Sequence, residues 1–104
     1  MKSITVAQLK AKLDAGEKIN LIDVREPHEY AEANLGGQLV PLGKIQTMQL
    51  EDLEDLKEEP VYIHCRSGKR SAMACMVLDQ VGFKETYNVE GGILDWIDKY
   101  GMPK

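Results

Sequence analysis

The chain predicts an α/β fold with a parallel sheet covered by helices on both faces. Three observations carry that expectation. Short apolar, β-branched segments alternate with helix-forming ones along the whole length. One of them, Val61–His64, runs through a single glycine-containing turn into a long stretch of helix formers. At 104 residues the chain also has the size of one domain with one core. Strands alternating with helices at this spacing pair in parallel, because each helix must cross over the sheet and cover it.

Ser3-Ile4 reads as a short opening strand. Thr5-Val6-Ala7-Gln8 fits a capping box, with the Thr5 hydroxyl as N-cap and Gln8 reaching back to the Thr5 N–H. The helix carries Val6, Leu9 and Leu13 on one face, runs through Ala15 and stops at Gly16. Ile19 to Val24 is the second strand, closed by Asp23 and Arg25. Pro27 suits the first turn of a brief helix through Ala33, which Gly36-Gly37 ends. Gln38-Leu39-Val40 is a third strand stopped by Pro41. Ile45 to Leu56 reads as one or two short helices with a break near position 50. Val61–His64 is the fourth strand, followed by a helix from about Ser67 to Val81 that ends at Gly82. Thr86–Val89 is the last strand, Gly91-Gly92 a turn, and Ile93–Tyr100 a final amphipathic helix with Trp96 expected in the core.

Charged residues make up 29% and hydrophobic ones 43%, and the net charge is −4. An acidic balance argues against nucleic acid as a partner. No apolar run approaches the ~20 residues of a membrane span, and the N-terminus lacks a signal peptide's apolar segment, so the cytoplasm is the expected compartment. The two cysteines, Cys65 and Cys75, are not expected to bridge. Ten residues apart and mostly along one helix, their Cα atoms would sit roughly 10 Å apart, beyond the about 7 Å a disulfide spans. Cys75 stands among apolar neighbours and reads as core filler, and no Cys/His cluster has metal-ligand spacing.

The chemistry is expected where strand four becomes helix. His64-Cys65-Arg66-Ser67-Gly68-Lys69-Arg70-Ser71 places a cysteine at the base of a turn with three cations and a glycine. The first N–H groups of the helix have no intrahelical partner and, with the helix dipole, form an anion site. The anion this turn would hold is the cysteine's own sulfur. Helix N-termini and nearby cations bring a thiol from about 8.5 down to roughly 3.5–7.5. Direct hydrogen bonds are expected from the backbone of residues 66–70, and longer-range attraction from Arg66, Lys69 and Arg70. Ligands of parallel α/β sheets bind beyond the carboxyl ends of the strands, so Asp23, Arg25 and Glu90 should open onto the same edge.

Three separated stretches resemble the rhodanese family of sulfurtransferases in its single-domain form. They are Leu21-Ile22-Asp23-Val24-Arg25-Glu26-Pro27-His28-Glu29-Tyr30, Cys65-Arg66-Ser67-Gly68-Lys69-Arg70-Ser71, and Asn88-Val89-Glu90-Gly91-Gly92-Ile93-Leu94-Asp95-Trp96. The resemblance covers nearly all 104 residues. It implies a parallel five-stranded sheet flanked by helices, and a nucleophilic cysteine at Cys65. Residues Arg66, Ser67, Gly68, Lys69 and Arg70 would cradle the substrate and persulfide, with Asp23, Arg25 and Ser71 in support. One departure is Asn34, where many relatives carry histidine, followed by Gly37-Gln38 in place of a more apolar pair; it concerns packing away from the loop.

The mechanism the resemblance implies needs no metal or other cofactor. The Cys65 thiolate takes the outer sulfur of a small anionic donor such as thiosulfate, sulfite leaves, and a thiol, protein acceptor or cyanide then collects the sulfur. The basic loop favours thiosulfate over mercaptopyruvate. Plainer roles stand beside these. Asp23 and Arg25 suit an ion pair that organises the strand end, Ser67 a helix cap or a donor to sulfur, Ser71 a donor to sulfur, and His64 the sheet face opposite Cys65. Two rival readings are a cysteine-dependent phosphatase or arsenate reductase, and a binding module without catalysis. In the phosphatases five residues separate cysteine from arginine; here four separate Cys65 from Arg70, a loop suited to a single sulfur atom.

Overall fold

In the computed structural model, which describes residues 1–103, five strands pair entirely in parallel in the order β1-β5-β4-β2-β3. They are β1 (Lys2–Ile4), β2 (Asn20–Asp23), β3 (Gln38–Leu39), β4 (Pro60–His64) and β5 (Glu85–Val89). The helices are α1 (Val6–Asp14), α2 (Pro27–Glu32), α3 (Leu42–Gln46), α4 (Lys69–Gln80) and α5 (Gly92–Tyr100), with a 3-10 turn at Glu51–Leu56. No helix among the described residues is long and apolar enough to cross a membrane.

Alternation along the strands divides the core into two layers. Ile22, Val24, Val61 and Ile63 pack with Ile45 of α3, Leu53, and Ala74, Cys75 and Leu78 of α4. Leu21, Tyr62 and Val89 face the other way, onto Ile4, Val6 and Leu9, with Trp96 of α5 packed alongside. Cys65 continues the first layer, so His64 belongs to the opposite face, as strand geometry requires.

The expected elements form with few differences. The Thr5 capping box closes with Gln8 N donating to Thr5 Oγ1 at 3.1 Å and Thr5 N to Gln8 Oε1 at 2.8 Å. The stretch read as one or two short helices from Ile45 begins earlier, at Leu42, and breaks over residues 47–50, where Met48 takes a left-handed φ of 60°. Trp96 is only half-buried and packs edge-on against Tyr100, because α5 lies at the margin of its layer. Helix α4 starts at Lys69 rather than Ser67. Gly68 is its N-cap at φ 103°, a conformation that a side chain disfavours, so Ser67 is not the cap. Both cysteines are free and buried. Asn34 Nδ2 donates to the Tyr30 carbonyl at 3.1 Å, and its Oδ1 accepts from Gly36 N at 2.9 Å, which closes the end of α2. Gly37 lies against β2, where an added Cβ would come within 2.8 Å of the Leu21 carbonyl oxygen.

Candidate active site

β4 delivers Cys65 to the carboxyl edge of the sheet, and the chain turns through residues 66–68 before α4 begins. Two N–H donors converge on Cys65 Sγ, Gly68 N at 3.1 Å and Ser71 N at 3.4 Å, and the Ser71 hydroxyl oxygen lies beside it at 3.4 Å. The backbone N–H groups of Arg66, Lys69 and Arg70 are not among them, so the cradle is narrower than the run 66–70 suggested. Gly68 turns the chain in left-handed geometry, and that brings the first turn of the helix, with Ser71, over the sulfur. Cys65 is buried, with 1% of its surface exposed. Burial pushes the thiol pKa up, but the Ser71 hydroxyl and the N–H groups of Ser71, Gly68 and Ser67 outweigh it and hold the thiol below its ordinary value.

The three cations divide. Arg66 and Lys69 are exposed, whereas Arg70 is bound by Glu29 of α2 through two parallel bonds of 2.7 and 2.8 Å. That pair lowers the Glu29 carboxyl to about 2 and raises the Arg70 guanidinium, whose charge is also coupled to the Cys65 sulfur. Glu29 went unread as a site residue in the sequence. Forty-one positions separate it from Arg70, and only its place within a family-like stretch marked it.

Asp23 and Arg25 form the expected pair, buried beneath α2. Arg25 Nη2 donates to Asp23 Oδ2 at 2.7 Å and Arg25 Nε to Oδ1 at 3.0 Å. The guanidinium then reaches the end of α2, with Nη2 donating to the Ala33 carbonyl at 2.7 Å and Nη1 to that of Glu29 at 3.4 Å. The pair therefore fixes α2, and α2 carries Glu29 to Arg70. His64 is fully buried, with Nδ1 at 3.4 Å from the Cys65 carbonyl and Nε2 at 3.7 Å from Asp23 Oδ2. Burial lowers its pKa and keeps the ring neutral.

The turn after β5 completes the floor. Ile93 N and Leu94 N, at the start of α5, donate to the carbonyls of Cys65 and Arg66, each at 3.0 Å. Gly92 sits so close that an added Cβ would stand 2.5 Å from both carbonyl oxygens. Asn88 of β5 accepts from the Ser71 hydroxyl at 2.5 Å and donates from Nδ2 to the Gly68 carbonyl at 3.3 Å. Neither contact was anticipated. Beside Arg66 lies a cleft of about 280 Å³ between α2 and α5, floored by Ile93, Leu94 and Ile97. Among the described residues no cluster of His, Cys, Asp and Glu could hold a metal ion.

Residues 5–99 match the family described as Rhodanese-like domain. The chain belongs to the rhodanese family. A Bacillus subtilis relative of this rhodanese chain, named "Putative sulfurtransferase YtwF", is 43% identical over 98 residues, covering 92% of this chain and 90% of its own. A second from the same organism, "Putative sulfur carrier protein YrkF", is 38% identical over 97 residues; the match covers 92% of this chain but only 51% of that protein's length. Among solved structures, a rhodanese-like domain protein from Staphylococcus aureus superimposes with a TM-score of 0.82 at 36% identity, over 100% of this chain and 99% of its own. The rhodanese fold and its five-stranded parallel sheet agree with what the sequence led one to expect.

Proposed function

We propose that this protein is a sulfurtransferase that carries sulfane sulfur as a persulfide on Cys65. The observation that carries the reading is the convergence of Gly68 N and Ser71 N on one buried sulfur at a helix N-terminus, with the Ser71 hydroxyl beside it. Those donors favour the thiolate, the form that acts as nucleophile. The names of its relatives, a sulfurtransferase and a sulfur carrier, point the same way.

In the proposed cycle the Cys65 thiolate attacks the outer sulfur of thiosulfate. A new S–S bond forms to Sγ, the original S–S bond breaks, and its electron pair leaves with sulfite. Sulfite departs without a proton, so no general acid is required. Residues Arg66, Ser67, Gly68, Lys69 and Arg70 form the loop around the persulfide, with Asp23, Arg25 and Ser71 in support. Arg66 and Lys69, exposed at the mouth, attract the dianion, whereas Arg70 acts through Glu29 to hold the start of α4. A thiol or cyanide then attacks the outer sulfur and releases the thiolate. The cleft beside Arg66 offers a seat for the acceptor.

The phosphatase reading is the weaker one. A phosphatase loop needs its arginine free to clamp an oxyanion, and Arg70 is already engaged by both oxygens of Glu29. A binding module without catalysis would have no use for a sulfur held under two N–H donors with a hydroxyl beside it.

The test is intact mass after incubation with thiosulfate. A gain of about one sulfur atom, lost on addition of cyanide and absent in Cys65→Ser, is expected. A wild-type mass that never changes with any sulfur donor sinks the proposal.

A further inference from the structure

Ser71 has one hydroxyl proton and two acceptors for it. Its Oγ lies 3.4 Å from Cys65 Sγ and 2.5 Å from Asn88 Oδ1. The orientation of the Asn88 amide follows from its other end, where Nδ2 meets the Gly68 carbonyl at 3.3 Å. Turning the amide over would set two carbonyl oxygens against each other. Asn88 is also buried, at 9% exposure, so its Oδ1 has little water to turn to.

The arrangement is complete only while the sulfur is protonated. Then Sγ–H donates to Ser71 Oγ, and the Ser71 hydroxyl donates to Asn88 Oδ1. When the thiol ionises, the thiolate needs the same hydroxyl proton, and Asn88 Oδ1 loses its donor. When Sγ carries a second sulfur it holds neither proton nor negative charge, and the hydroxyl can return to Asn88. We propose that Asn88 is a positioning residue that competes with the Cys65 sulfur for the single Ser71 proton, favouring the thiol and the persulfide over the bare thiolate. The inference rests on Cys65 as the sulfur carrier, but its test reads proton competition directly and does not depend on sulfur transfer.

Substitution at 88 leaves in place the other titratable and charged groups on the elements packed about Cys65. They are Arg66 and Lys69 in the loop, Arg70 of α4 with Glu29 of α2, Asp23 and Arg25 at the end of β2, His64 of β4, and Glu90 and Asp95 flanking the start of α5. Asn88→Leu and Asn88→Asp both lose the amide that holds the Gly68 carbonyl. They differ in the acceptor they offer Ser71: none in the first, a stronger and negatively charged one in the second. The contrast separates proton competition from simple support of the loop.

The experiment is the rate of Cys65 alkylation by iodoacetamide as a function of pH, with the adduct located by peptide mass. Asn88→Leu should shift the profile to lower pH and raise the rate about fivefold on its acidic limb, the equivalent of one competing hydrogen bond of about 1 kcal/mol. Asn88→Asp should shift it to higher pH. In a Ser71→Ala background, Asn88→Leu should leave the profile where Ser71→Ala alone puts it, and this comparison decides the matter if Asn88→Asp does not fold. Shifts of the same sign in the Leu and Asp variants, or an Asn88→Leu effect undiminished without the Ser71 hydroxyl, would overturn the proposal. The persulfide mass test reports separately on Cys65 as the carrier.

Discussion

Glu29→Gln isolates the charge that joins α2 to the start of α4. The glutamine keeps an oxygen for the Glu26 N–H, which the carboxylate accepts at 2.9 Å, and can still accept one bond from Arg70. What is lost is the negative charge and the second parallel bond. The Glu29 carboxyl falls from the ordinary 4.5 to about 2, which corresponds to at most about 3 kcal/mol. The side chains of Glu29 and Arg70 are 18% and 30% exposed, and the water that reaches them reduces this to about 1–2 kcal/mol. For a domain of this size the substitution should lower Tm by roughly 5–10 °C at neutral pH. The sign with pH follows from the depressed pKa. The contribution is fully present above the unfolded carboxyl's 4.5 and is lost as pH falls from there through about 2. Urea unfolding of both proteins, followed by circular dichroism from pH 7 downward, should show a gap that narrows below about pH 4.5 and closes near 2. A gap under about 0.5 kcal/mol at pH 7, or one that does not change with pH, would refute a charge-based role for Glu29.

Three further predictions follow from the same geometry. Cys75→Ser should retain sulfur transfer but lose about 1–3 kcal/mol in urea unfolding, because a hydroxyl replaces a thiol that burial has pushed up to about 12; an inactive but well-folded variant would break the one-cysteine mechanism. Gly92→Ala should slow persulfide formation by about a hundredfold in single-turnover mass measurements, since its Cβ would displace the Cys65 and Arg66 carbonyls. Unchanged rates would mean that the loop tolerates the shift. Arg66→Ala with Lys69→Ala should raise the KM for thiosulfate about tenfold at low salt and flatten its rise with added salt. Steady-state rates that ignore both salt and substitution would remove these cations from donor binding.

Much of this protein was legible in its sequence because the signals are local. Thr5 and Gln8 meet across one helical turn, Leu21/Ile22 and Tyr62/Ile63 alternate within single strands, and Gly16 and Gly82 stop helices at their own positions. Cys65 was readable for the same reason, since strand, turn and helix N-terminus follow one another within a few residues. Tertiary structure decided which groups reach the sulfur and which cations are free. The strand order β1-β5-β4-β2-β3 puts β4 between the segments that bring α2 and β5 to its end. Glu29 can then neutralise Arg70, Asn88 can take the Ser71 proton, and Gly92 can lie on the Cys65 carbonyl. Three clustered cations look alike in a sequence, and only packing tells the one held by a carboxylate from the two left at the mouth. A pair 41 residues apart leaves no periodic trace, because its energy depends on the path of the chain through space rather than on its neighbours along it.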